Sequence, residues 1–347
     1  MAASSAIGPA NQVRGGPRVT DEVPHTADTL RRVEPTWLGD ARVLIVAGKG
    51  GVGSSTVAAA AALLAARGGA DVLLVAVDGK PGLGPLLGGP PLTPDEQVLR
   101  TLRGKGRVRG RTVPPEQAFG DYLELKGVAG LVRRAASAAS LDMVAGSTPG
   151  LEHLLVLGKI KELERTKAAD LIVVEAPPAG HAAPFIRSAR ALQQVVASGP
   201  VRDQADEVAA MLADSTRAQA LLVTLAEETP VNEVIELAYE VEEDLGLALA
   251  PLVVNACWPD RSGLAVTPAA AAKRSAVTLS AADRAALAES SGFGAARLAV
   301  QREQLARLDT DLPLPRIALP RLATPRLTPA HLDTLADALA LPPVVAQ

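Results

Sequence analysis

The chain has 347 residues, which is long for one domain but a length that α/β domains often reach. Hydrophobic residues make up 48% of it and aromatic residues 2%, so a core must be built from Ala, Val and Leu. The net charge of −3 gives no general attraction to nucleic acid, and the single cysteine excludes an internal disulfide and a multi-cysteine metal site within one chain.

The first 39 residues are rich in Gly, Pro, Ser and Thr and show no periodicity, which predicts a flexible leader over 1–39. They lack a signal-peptide pattern, and no apolar run of the chain approaches the length that spans a bilayer. We therefore expect a cytoplasmic protein without stable membrane insertion, and one folded domain over 40–347.

A glycine-rich loop follows the first predicted strand, 43–47, and precedes an Ala/Leu-rich helix pattern. Its glycines allow successive backbone N–H groups to converge on phosphate oxygens, and the helix start adds the positive end of its dipole. The alternative is a glycine-rich turn whose helix only packs on a sheet. The candidate nucleotide-binding residues are Gly48, Lys49, Gly50, Gly51, Val52, Gly53, Ser54, Ser55 and Thr56.

One position of this loop departs from the usual phosphate-loop pattern. A lysine normally precedes the Ser/Thr that binds Mg²⁺, and it reaches the β- and γ-phosphates. Here Ser54 stands at the lysine position, Ser55 supplies the Mg²⁺-binding hydroxyl, and Lys49 is the one lysine of the loop. The pattern predicts a nucleotide-binding site that lacks one charge-assisted contact to the phosphates.

The second predicted strand, 72–77, is followed by Asp78. In open α/β sheets ligands bind at the carboxyl edge, where an aspartate can position the attacking water or reach Mg²⁺ through water. The alternative is a turn aspartate before Gly79.

Strand patterns weaken between residues 94 and 168, which predicts a helical insertion of about 94–168. It carries the one basic cluster of the chain: Arg100, Arg103, Lys105, Arg107, Arg109 and Arg111. The last three share one face of an extended segment, which favours a charged strand edge over a surface for an acidic partner.

The predicted strand 171–174 delivers Glu175 to the same sheet edge. A carboxylate at this place is suited to assist a metal ion. The following segment is typical of a switch loop that senses the γ-phosphate. The candidate metal residues are Ser55, Asp78 and Glu175, and the candidate switch residues are Glu175, Pro177, Pro178, Gly180 and His181.

Further strands are predicted at 220–225, 251–255 and 315–319. Asn255 ends one of them; its amide matches the edge of adenine or caps a turn. Thr229 before Pro230 and Thr328 before Pro329 predict helix starts. Strands that alternate with helices predict an α/β fold, a doubly wound and mainly parallel sheet of the P-loop NTPase type.

Over roughly 42–325 the chain resembles the ArsA branch of the deviant phosphate-loop ATPases, on the loop 48–56, Asp78, Glu175–His181 and Asn255. It is most similar to actinobacterial ArsA-type anion-transporter ATPases. That closer likeness is carried by Pro149–Leu151 with Gly158–Glu162, Gly199–Val201 with Gln204–Asp206, and Val223–Leu225.

The resemblance implies a nucleotide-dependent dimer, either a homodimer or a heterodimer with an ArsA-like paralogue. In it Lys49 would reach the partner's phosphates, Asp78 would activate water, and ATP would bind with Mg²⁺. With one cysteine, the family's arsenite-binding cluster is not expected. Three hypotheses remain open. The chain is an ATPase subunit, either in a homodimer or as the weaker half of a heterodimer; or it is a non-catalytic nucleotide-binding scaffold; or it is a targeting factor for hydrophobic segments.

Overall fold

The computed structural model describes residues 37–77, 82–104, 106–125, 150–177 and 179–345, without the side chains at 179, 180 and 244. Several predictions lie outside these residues. They are Asp78, Pro178, Lys105, most of the predicted leader and part of the predicted insertion.

A nine-stranded sheet forms the centre of the described part of the chain. The strands are β1 (Val43–Gly48), β2 (Asp71–Ala76), β3 (Gln97–Thr101), β4 (Arg107–Thr112), β5 (Leu171–Glu175), β6 (Ala218–Leu225), β7 (Ala248–Leu249), β8 (Leu252–Cys257) and β9 (Arg316–Pro320). Their order is β3-β4-β2-β5-β1-β6-β8-β9, and β7 pairs with β6. Only β3 is antiparallel to its neighbour, so the predicted mainly parallel α/β sheet is confirmed.

Helices cover both faces of this sheet. Within the described ranges they are α1 (Ser54–Arg67), α2 (Leu83–Leu87), α3 (Pro115–Leu125), α4 (Leu151–Arg165), α5 (Ala179–Val195), α6 (Pro200–Ala213), α7 (Glu228–Tyr239), α8 (Pro268–Arg274), α9 (Ala281–Asp311) and α10 (Pro329–Leu339). A π turn, Glu240–Asp244, follows α7. Helices α1, α2 and α10 share one core layer, and α3 to α7 share the other.

Strand β1 shows why the sheet is buried on both faces. Its side chains alternate between the two layers: Val43 and Ile45 pack with α4 to α7, whereas Leu44 and Val46 pack with α1 and α10. All four are fully buried. An uninterrupted apolar run is what a central parallel strand requires, because both of its faces meet helices.

Four arginines of the basic cluster, Arg100, Arg107, Arg109 and Arg111, lie on β3 and β4, the last two strands at one side of the sheet. The guanidinium groups of Arg107 and Arg109 both donate to Asp71 of β2, and Arg100 donates to Asp333 of α10. The Arg107 hydrogen bond, with that of Arg109, lowers the pKa of Asp71 despite partial burial of the carboxyl. These arginines therefore hold sheet and helices together, and the acidic-partner reading is not favoured.

Three predicted boundaries need correction. The range 94–168 was assigned to helices, but it contains β3 and β4 as well as α3 and α4, and β3 rather than β4 is the sheet edge. Helix α7 begins at Glu228, two residues earlier than the predicted start at Pro230. Trp37, assigned to the leader, donates its indole N–H to the Leu339 carbonyl at 2.9 Å. The start of α10 after Thr328 is confirmed.

Candidate functional site

The glycine-rich loop connects β1 to α1 at the carboxyl edge of the sheet. Gly48 ends β1, and a Cβ there would lie 2.4 Å from the carbonyl oxygen of Val223. Gly51 and Gly53 both have φ of +92°, a conformation that favours glycine. Gly53 is also the N-cap of α1 and offers no side-chain cap, so the N–H groups of the first helical turn are left for a ligand.

Ser54, at the position of the missing lysine, begins α1 and has a buried hydroxyl. Its Oγ has no hydrogen-bond partner among the described residues, and it faces Gly48, whose added Cβ would lie 2.9 Å away. A buried unpaired hydroxyl is costly. A phosphate oxygen would accept a hydrogen bond from the Ser54 hydroxyl. The hydroxyl would not bring the positive charge that a lysine brings.

Ser55, in the first turn of α1, contacts Glu175 at the end of β5. The Ser55 hydroxyl donates to Oε1 of Glu175, which ends β5 and is 1% exposed. A hydroxyl and a carboxylate are hard oxygen ligands, and Mg²⁺ is commonly held by one or two such groups together with water and phosphates. The pair fits Mg²⁺ in a nucleotide complex, and no cluster of three metal-ligating side chains occurs in the described part of the chain.

Lys49 lies in the loop and forms an ion pair within the same chain. Its Nζ donates to Oε1 of Glu233 on α7, and the two side chains are 34% and 37% exposed. The predicted contact of Lys49 with a partner's phosphates stays a prediction. Nothing local in the sequence marks Glu233 as the partner of Lys49.

Asn255 braces the loop from β8. Its Nδ2 donates to the Val52 carbonyl at 2.8 Å, and its Oδ1 accepts the Ala256 N–H at 2.8 Å. Ala256 has a positive φ of 52° and lies where the pairing of β8 with β9 shifts register, between Val254 and Cys257, so the amide also stabilises a strained irregularity within β8. The contact with adenine stays a prediction, and the predicted turn at Asn255 is this irregularity of the strand.

Two adjoining pockets extend along this sheet edge. One, of about 480 Å³, is lined by Lys49–Val52 and by Glu227–Pro230 at the start of α7. The other, of about 50 Å³, is lined by Asn255, Trp258 and Arg321, among others, and both pockets share Leu225 and Glu227. The two pockets are therefore neighbours beside the loop and the ends of β6, β8 and β9, and together we call them the trough.

The far end of the trough contains an aromatic group that the sequence reasoning missed. The guanidinium of Arg321 lies 4.3 Å from the centre of the Trp258 ring. Gln301 fixes the Trp258 backbone, because its Oε1 accepts the N–H at 2.8 Å and its Nε2 donates to the carbonyl at 3.1 Å. The position of Trp258, three residues after the predicted strand 251–255 in an aromatic-poor chain, was the available signal.

The remaining predicted residues lie near the same edge. Thr56 is half-buried in the first turn of α1, and Pro177 follows β5. Gly180 and His181 belong to the first turn of α5, where His181 is exposed. The structure thus brings the loop, Glu175 and the start of the switch segment together, while Asp78 and Pro178 lie outside the described residues.

Comparisons with known proteins agree with this geometry. The family model of anion-transporting ATPases, ArsA_ATPase, matches residues 41–86. ATPase BagA of Mycobacterium tuberculosis and a Mycobacterium bovis protein named "Putative ATPase" are each 36% identical over 230 residues, which is 64% of this chain and 66% of each relative. A Streptomyces coelicolor protein is 34% identical over 167 residues, 45% of this chain and 39% of its own length. Among the described residues, no helix is long and apolar enough to cross a membrane.

Proposed function

We propose, on the premise that the chain belongs to the ArsA family of ATPases, that it binds ATP with Mg²⁺ at residues 48–56. It acts as one subunit of a nucleotide-dependent dimer, and its own hydrolysis is slow or absent. The dimer is a homodimer or a heterodimer with an ArsA-like paralogue, in which this chain is the weaker half.

The observation that carries the proposal is the shape of the β1–α1 loop. A Cβ at Gly48 would lie 2.4 Å from the carbonyl oxygen of Val223, and one at Gly53 would lie 2.3 Å from Nδ2 of Asn255, so the loop packs too closely against β6 and β8 to carry side chains at these two positions. The first turn of α1 has no side-chain cap, and the loop residues just before it, Lys49–Val52, line an open pocket. Such a cradle suits a chain of phosphates.

Each group of residues in the site has a separate proposed role in binding Mg-ATP. The loop backbone and the first turn of α1 bind the phosphates, and the Ser54 hydroxyl finds an acceptor there. Ser55 and Glu175 hold Mg²⁺, which when bound neutralises charge on the phosphates. Trp258 and Arg321 offer planar surfaces to the base at the other end of the trough. Asp78 remains the proposed residue for orienting water.

Slow hydrolysis follows from Ser54. A lysine would bring a positive charge and three N–H donors to the phosphates, in contacts worth about 1.5–3 kcal/mol each, whereas a serine brings one neutral donor on a short side chain. Lys49 cannot replace it while its ammonium is bound to Glu233. A non-catalytic nucleotide-binding scaffold is the second candidate, because the same two observations favour binding without turnover.

A role in carrying hydrophobic segments has less support. The cavity between α3, α4 and α6, of about 230 Å³, is lined in large part by charged side chains, including Asp121, Lys159 and Glu162. Lys159 and Asp121 form an ion pair in its wall. A surface of this kind does not favour an apolar peptide.

Calorimetric titration with Mg-ATP tests the proposed function. We expect one nucleotide per chain in the wild type and at least about tenfold weaker binding in Gly48→Ala, because backbone atoms crowd the added methyl group. Gly120→Ala is the matched control, since a Cβ at this position in α3 meets nothing within 4 Å. Absence of binding by a folded wild type, or equal binding by folded Gly48→Ala, would overturn the proposal. ATP turnover is then measured for this chain alone and for its mixture with a paralogue whose phosphate loop is intact. Turnover that depends on this chain favours the ATPase subunit, and binding without turnover in both cases favours the scaffold.

A further inference from the structure

The ion pair between Lys49 and Glu233 joins the two walls of the phosphate pocket. One wall is the loop, to which Lys49 belongs, and the other is the start of α7, which lines the pocket from Glu227 to Pro230. Lys49 is the only cationic side chain of the loop 48–56. Its ammonium is thus committed to a carboxylate of the same chain rather than available to a ligand.

A phosphate-bearing ligand and Glu233 are competitors for this ammonium. Lys offers a single point charge on a flexible stem, so one strong partner at a time dominates its position. The phosphates carry more negative charge than one carboxylate and are also held by backbone donors of the loop. The two side chains are 34% and 37% exposed, so their pair is weak enough to be broken by such a ligand.

We propose that Glu233 is a latch on Lys49: it holds the lysine within its own chain until bound phosphates draw it away. Glu233 is therefore a positioning residue that lowers nucleotide affinity and delays release of Lys49. This inference rests on the proposed function, because the phosphates that draw Lys49 away are those of a nucleotide bound at residues 48–56 of this chain or of its partner in the proposed dimer.

Other charges around the pocket do not provide the same restraint. Glu227 is paired with Arg297, and Glu228 lines the pocket without an ion pair within the described residues. Both add negative charge near the incoming phosphates, but only Glu233 contacts Lys49. Removing a carboxylate near the pocket relieves repulsion in general, whereas removing Glu233 also frees Lys49. A double-mutant cycle separates these two effects.

The experiment measures the affinity for Mg-ATP and for tripolyphosphate in wild type, Glu233→Gln, Lys49→Ala and the double variant. We expect Glu233→Gln to bind both probes about two- to fivefold more tightly, the range that one partly exposed ion pair supplies. In the Lys49→Ala background the same substitution should leave only the general change in repulsion. Glu228→Gln reports that general change.

Glu240→Gln is the matched control for loss of an ion pair on the same helical segment. Glu240 pairs with Arg187, away from the pocket, so this variant should bind both probes like the wild type. The thermal midpoint of each variant shows whether a change in affinity merely follows a change in stability.

Two results would overturn the latch alone: binding by Glu233→Gln that is no tighter than binding by Glu228→Gln, or the same gain with and without Lys49. Failure of the folded wild type and of every variant to bind either probe would overturn the proposed function and the latch together. The two failures are therefore distinguishable.

Discussion

Replacing Ser54 by lysine should increase both nucleotide binding and turnover. The Ser54 hydroxyl is buried beside the end of β1 and has no partner among the described residues, so its loss breaks no observed hydrogen bond. A lysine at this position starts from the first turn of α1, next to the phosphate pocket. It would add one charge-assisted hydrogen bond to the phosphates, worth about 1.5–3 kcal/mol.

This energy corresponds to about 10- to 150-fold in an equilibrium or rate constant. If the new contact is stronger in the transition state, where charge develops on the transferred phosphoryl group, the turnover rate increases. If it is equally strong in the ground state, only the affinity for ATP increases. Release of inorganic phosphate at saturating Mg-ATP measures turnover, and calorimetry measures binding. Ser54→Met, of similar length and without charge, controls for the space that the longer side chain needs.

Equal binding and turnover in folded Ser54→Lys and Ser54→Met would contradict this explanation. The missing charge at position 54 would then not be the cause of weak hydrolysis. A gain in binding without any gain in turnover would favour the scaffold over the ATPase subunit.

Three other predictions concern the rest of the fold and the far end of the trough. In a Trp37→Phe background, Trp258 is the only tryptophan, and its fluorescence should change with Mg-ATP but not with tripolyphosphate; equal changes would place the base elsewhere. The pKa of Asp71 is lowered in the folded chain by its hydrogen bond to Arg107, so its stabilising effect is present above its unfolded pKa and is lost as pH falls through the folded value. Denaturation of Asp71→Asn should therefore differ from wild type near neutral pH and converge with it in acid, and a constant difference would be contrary evidence. Burial raises the pKa of Cys257 from 9.0 to about 11. At pH 8 its thiolate fraction, and with it the rate of its alkylation by iodoacetamide, should therefore be about a hundredfold below that of an ordinary thiol. An alkylation rate like that of free cysteine would contradict this prediction.

The sequence predicts those parts of the fold whose signal is local. Central strands such as β1 and β5 are continuous apolar runs because both faces are buried, and they lie where the pattern indicates. The edge strand β3, Gln97–Thr101, is half-exposed and mixes polar with apolar side chains, so it lacks that signal. Its assignment depends on pairing with β4, which only the folded chain shows.

The candidate site also has one part that a local sequence pattern marks and another part that no local pattern marks. The loop at 48–56 has a sequence signature because glycine is the residue that its backbone geometry requires. Glu233 lies 184 residues from Lys49 in the chain, and Gln301 lies 43 residues from Trp258. These partners are brought together by the packing of α7 and α9 against the sheet, which no local pattern encodes. The sequence therefore identifies the phosphate-binding loop, whereas the contacts of Lys49 with Glu233 and of Trp258 with Gln301 are found only in the structure.

The most direct test is a calorimetric titration of the wild-type chain with ATP in the presence and in the absence of Mg²⁺, alongside Ser55→Ala. We predict one nucleotide per chain, bound more tightly with Mg²⁺, and loss of most of that Mg²⁺ dependence in Ser55→Ala, whose hydroxyl meets Glu175. No saturable binding by the folded wild type, or an undiminished Mg²⁺ dependence in Ser55→Ala, would contradict binding of Mg-ATP at this loop.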